Sequence, residues 1–131
     1  MIDIALLVLR LGLGVMFLAH GLQIALGKLG GPGVTNFSGM LAKMGFVPAL
    51  AWAYVAGYTL LIGSIMVLAG FATRIASLFL LIFITVALVK VHLVKGFFLQ
   101  GGGYEYNFVI ASICIALLLA GPGKYSICSK C

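Results

Sequence analysis

The sequence predicts an all-α integral membrane protein, a four-helix antiparallel bundle with a short interfacial or re-entrant helix between the first and second spans. Three observations carry that reading. Of 131 residues, 64% are hydrophobic and only 8% are charged, against about 25% charged in an ordinary soluble domain; mean hydropathy is +1.30. Four apolar runs approach the roughly 20 residues that a hydrocarbon core about 30 Å thick demands. Between the first two runs, Gly30-Gly31-Pro32-Gly33 cannot continue a helix. The whole of 1–131 reads as one domain.

The first span runs over about 4–26 and the second over about 48–69. The third covers about 75–94, and the fourth, the shortest, about 106–120. Gly70-Phe71-Ala72-Thr73-Arg74 is too short for anything but an antiparallel helical hairpin. Four crossings put both termini and Arg74 on one face, and the first and third connections on the other. In the first connection Val34, Phe37, Met40, Leu41 and Met44 recur at helical spacing opposite Asn36, Ser38 and Lys43. That stripe is too short to span and fits an interfacial or re-entrant helix, with Thr35 or Asn36 as its cap. An ordered loop on the bundle is the alternative. Close helix approach is expected at Ala53 and Gly57, along Ser112, Ala116 and Ala120, and at Gly12, Gly14 and Gly21.

Charge excludes one class of partner. Eight Lys and Arg residues stand against two acids, but they are scattered singly near the ends of apolar runs. They anchor helices at headgroups and do not form a nucleic-acid surface. The terminal face carries Arg74, Lys124 and Lys130; the opposite face carries Lys28, Lys43, Lys90 and Lys95. This near tie under the positive-inside rule leans to cytoplasmic termini in the cell membrane, because the hairpin arginine and the basic tail clear the bilayer. The start, Met1-Ile2-Asp3-Ile4, has no basic region of the kind a signal peptide needs, so the first span is expected to stay in the mature protein. Cys114 reads as a small packing residue. Cys128-Ser129-Lys130-Cys131 has the spacing of a disulfide or half a metal site, although no second such pair completes a zinc site; a frayed tail is the simpler account.

Polar residues inside such a chain mark its interior. Arg10 lies roughly 12 Å along the first helix at 1.5 Å per residue, where a charge costs roughly 2.5 kcal/mol or more and turns inward. Two readings stand: a structural arginine bonded to carbonyls, Thr59 or a polar group of another helix, or a fork of donors fixing the anionic or carbonyl end of a ligand. His20 lies about 15 Å further on, near the opposite face. Lys90, His92 and Glu105 reach that level from the third and fourth spans, and Tyr54 and Tyr58 descend from it. A pocket of Arg10, His20, Tyr58, His92 and Glu105 would suit a small polar or quinone-like head group, with the imidazoles able to donate, accept or move a proton; a helix-tying network is the alternative. Two histidines and one glutamate lack the spacing of a preformed metal site, and none is expected.

The residues also resemble a known family. Leu9-Arg10-Leu11-Gly12-Leu13-Gly14 followed by Ala19-His20-Gly21-Leu22-Gln23 looks like the opening of the DoxX family. So do Gly30-Gly31-Pro32-Gly33, Gly70-Phe71-Ala72-Thr73-Arg74, His92 with Gly96-Phe97-Phe98, Gly103-Tyr104-Glu105-Tyr106 and Gly121-Pro122-Gly123-Lys124-Tyr125-Ser126, in order over nearly the whole chain. The resemblance implies a small four-span membrane protein. Relatives include the membrane subunit of thiosulfate:quinone oxidoreductase, and some are linked to membrane complexes managing thiol and oxidative stress. The chain departs from the pattern at Leu60, where relatives often carry a glutamate, and at Ile24, where they often carry a lysine. Loss of acid and base together fits loss of a paired site.

Two functions follow as expectations. One is a redox-linked accessory subunit that binds a quinone-like or lipid ligand and works with a soluble redox protein. The other is a non-enzymatic membrane scaffold or lipid-binding protein. Partners are the bilayer, that soluble protein and a further copy of the chain. A channel is disfavoured, because Leu11 to Ala19 offers no polar side chain.

Overall fold

A glycine in the left-handed region ends each of the first two long helices, and those two stops set the layout. In the computed structural model, α1 runs Ile2–Leu26 and ends at Gly27, φ 67°. α3 runs Ala49–Ala69 and ends at Gly70, φ 77°. In both, amides beyond the stop reach back to carbonyls of the last turn: Lys28 N to Leu22 O at 3.1 Å, Phe71 N to Met66 O at 3.0 Å. This is how a glycine closes a helix at low steric cost. The structure describes residues 1–28, 30–31, 33–43, 45–92 and 105–127, with only the backbone of Val91, His92, Glu105 and Tyr106.

Between α1 and α3 lies α2, Gly33–Lys43. It buries Leu41 and packs Phe37 against the core, touching α3 and α1. Its first residue, Gly33, precedes Thr35 and Asn36, so neither occupies the capping position expected of it. The carbonyl of Thr35 instead accepts from Ser38 Oγ at 2.6 Å. After the hairpin, α4 spans Thr73–Ala87 and continues as a π-helical turn, Leu88–His92. The expected third span therefore widens before its end, and its last residues lie outside the described part. α5 covers Glu105–Ala120. Among the described residues all regular structure is helical, with five α-helices and three runs long and apolar enough to cross a membrane: Ile2–Leu26, Ala49–Ala69 and Thr73–Lys90.

Packing is antiparallel in sequence. A methyl on Gly21 would lie 2.7 Å from Leu61 N, and one on Gly57 would lie 3.1 Å from Ala25 Cα, so α1 and α3 cross backbone to backbone. α3 lies on α4 and α4 on α5, with α5 returning to α1. Leu13, Phe17, Leu60, Val67, Leu80, Ile110, Cys114 and Leu117 fill the centre. Large apolar side chains face outward on every long helix, among them Val8, Val15, Ile62, Ile75, Phe79 and Leu119. So much outward apolar surface needs a hydrocarbon solvent.

Two expected close approaches are corrected. A side chain on Gly12 would meet nothing within 4 Å. Ser112, Ala116 and Ala120 are exposed; α5 buries Asn107, Ile110, Cys114 and Leu117 instead, because those larger residues fill the volume beside α4. Ala53, Gly14, Gly21 and Gly57 are buried as expected, and so is Cys114.

Candidate functional site

Two built features stand out, and Arg10 makes the first. Its side chain is 1% exposed. Nε donates to Val67 O at 2.9 Å and Nη2 to Leu68 O at 3.0 Å. Nη1 donates to Pro122 O at 3.0 Å and Tyr125 O at 2.7 Å. Val67 and Leu68 belong to the last turn of α3, and Val67 O also accepts from the amide of the capping Gly70 at 3.2 Å. Pro122 and Tyr125 belong to the segment after α5, which doubles back as a strap. Lys124 N donates to Asp3 Oδ1 at 3.0 Å, Ile127 N to Ala69 O at 3.0 Å and Ser126 Oγ to Gly123 O at 2.9 Å. The strap turns at Gly121, φ 81°, and Gly123, φ 83°. A methyl on Gly70 would run into the Ser126 side chain and lie 2.8 Å from Arg10 Nη2. Of the five N–H donors of a guanidinium, four are thus directed at backbone carbonyls.

The second feature is a groove of about 430 Å³ between α3 and α4. Val55, Tyr58, Thr59, Ile62 and Met66 line it from α3, and Ile75, Ala76 and Phe79 from α4, with Gly63 contributing no side chain. Leu80 comes up to Gly63 and fixes the separation of the two helices there. The small floor and the large flanking side chains, such as Ile62, Ile75 and Phe79, each more than half exposed, shape an apolar slot open to the outside. The polar residues in its lining are Tyr58 and Thr59. The Tyr58 ring stacks on Tyr54 at 6.2 Å between centroids. Beyond Val55, at the N-terminal end of α3, Trp52 lies 6.3 Å from Phe46 by ring centroids, and Lys90 Nζ sits 5.9 Å from the Phe46 ring centre.

The described members of the expected pocket stand in different surroundings. Arg10 sits at the strap, one end of the molecule. His20 is exposed, its Nδ1 2.9 Å from Met16 O on its own helix. Tyr58 lines the groove. The side chains of His92 and Glu105, and the Cys128 and Cys131 pair, lie outside the described residues. Missed from sequence were Gly63 and Ala76, whose small size makes the groove, and Thr73 and Ser77, buried on α4 with hydroxyls that have no hydrogen-bond partner among the described residues. Among the described residues, no cluster of metal-ligating side chains occurs.

The DoxX family model matches residues 5–93. A Bacillus subtilis (strain 168) protein named "Putative oxidoreductase CatD" is 31% identical over 115 residues, covering 88% of this chain and 79% of that protein. No solved structure matches.

Proposed function

This chain belongs to the DoxX family, and from that premise we propose that it is a redox-linked accessory subunit of the cell membrane holding a quinone-like or lipid ligand in the groove between α3 and α4. The groove carries the reading. Its volume falls within the roughly 300–1,000 Å³ of small-molecule sites, which are mostly apolar with a few placed polar groups. Tyr58 and Thr59 are hydroxyl donors at its wall, able to meet a carbonyl. The redox link rests on the oxidoreductase name of the Bacillus subtilis relative, and electrons would arrive from a soluble partner. In this reading α5 also crosses, so that four helices close into an antiparallel bundle with both termini in the cytoplasm and α2 at the opposite interface.

A scaffold without ligand is the second reading, favoured by Arg10, whose donors serve carbonyls. Extraction of the purified protein separates the two, with bound ligand read by absorbance and mass. The proposal expects a quinone-like or lipid molecule at near-stoichiometric amounts in the native protein. It expects a loss of at least several-fold in Ile62→Trp, which fills the slot, and a smaller loss in Tyr58→Phe. Equal, trace amounts in native protein and Ile62→Trp would favour the scaffold.

A further inference from the structure

We propose that the groove's occupant is an anionic glycerophospholipid, with one acyl chain in the slot and its phosphate at Lys90. The inference rests on the reading of the groove as a ligand site and names the occupant. Trp52, Val55, Ile62 and Met66 lie on one face of α3, repeating at helical spacing, so the slot's wall continues past Val55 to Trp52. Lys90, on the π-turn that extends α4, lies over Phe46, and Phe46 lies against Trp52. A cation and two aromatic rings therefore gather one turn beyond the slot, at its end nearest the start of α3. Indole and phenyl rings with a lysine are what the headgroup level of a bilayer selects, and the stem of Lys90 can lie on apolar surface while its ammonium reaches a phosphate. A neutral ligand would use the slot but not this charge.

Trp52 is the chain's one tryptophan and reports occupancy directly. The protein is placed in phosphatidylcholine vesicles containing phosphatidylglycerol with brominated chains, or the converse mixture, and quenching of Trp52 is measured. A single lysine at a bilayer surface is worth roughly a five-fold preference. The expected result is a preference of that order for phosphatidylglycerol, lost in Lys90→Gln and kept in Lys124→Gln, at the opposite end. Val55→Phe, which narrows the mouth, should weaken quenching by both lipids. Equal quenching by both lipids in native protein overturns the proposal, as does a preference that survives Lys90→Gln. So does a preference appearing only in Glu105→Gln, which would make Glu105 the partner of Lys90. Headgroup indifference with quenching still weakened by Val55→Phe removes this inference and leaves the groove. Quenching unaltered by Val55→Phe, with ligand content unaltered by Ile62→Trp, removes the groove itself.

Discussion

Arg10 ties together parts of the chain up to 115 residues apart, and each tie is to a carbonyl rather than a side chain. Hydrogen bonds from a charged donor contribute about 1.5–3 kcal/mol each, and Arg10 makes four of them to carbonyls at the end of α3 and on the strap. Arg10→Ala should therefore lower stability by about 3 kcal/mol or more, read as a fall in melting temperature in detergent and earlier proteolysis after Ala120. Arg10→Lys should restore only part of this, because an ammonium cannot hold the planar fork that reaches both α3 and the strap. Gly70→Ala should be about as damaging, since it adds strain at φ 77° to the collision with Ser126. Thr73 and Ser77 predict the opposite sign. Their buried hydroxyls lack partners among the described residues, so Thr73→Val and Ser77→Ala should leave the melting temperature unchanged or raise it. A loss beyond about 1 kcal/mol would show that these hydroxyls are bonded. The sequence marked Arg10 as inward and named carbonyls among its partners; it could not show that they would come from a strap formed by the chain's far end.

At the scale of elements, α1 and α3 meet through glycines while α3 and α4 part around them. Gly21 abuts the backbone of Leu61, which cannot move aside as a side chain can. Gly21→Leu should separate the two helices and leave little folded protein in a detergent gel filtration profile, whereas Gly12→Leu should behave as native. Helix positions were legible because apolar length and glycine breaks are local signals: α1, α3 and α5 lie within a few residues of their expected bounds. Contacts were less so. A small-residue spacing shows that close approach is permitted, not that it happens, and the Ser112, Ala116 and Ala120 stripe faces outward for that reason. The groove was invisible for a related cause. It depends on Gly63 and Ala76 lining one cleft from two helices, which neither helix's pattern states.

Among the described residues the molecule is arranged inside out, with apolar surface outward and Arg10, Ser64 and Asn107 bonded within. The four crossings proposed above would place Arg74 and Lys124 on one side and Lys28 and Lys43 on the other. In a background lacking the three native cysteines, single cysteines at Arg74 and Lys124 should react with an impermeant thiol reagent from the cytoplasmic side, and those at Lys28 and Lys43 from the outside. Labelling of Arg74→Cys and Lys124→Cys from different sides would remove α5 as a spanning helix. The expected site was less legible than the architecture, because His20, Tyr58, His92 and Glu105 were gathered by level along the bundle, and level does not fix which way a helix face turns. Photocrosslinking tests the ligand groove most directly: an azido-quinone or a photoreactive acyl chain is activated in reconstituted protein and the labelled peptides are mapped. Label should concentrate on Val55 to Met66 of α3 and Ile75 to Phe79 of α4, and fall several-fold in Ile62→Trp. Label spread evenly over the outward faces of α1 and α5, around Val8, Val15 and Leu119, would contradict it.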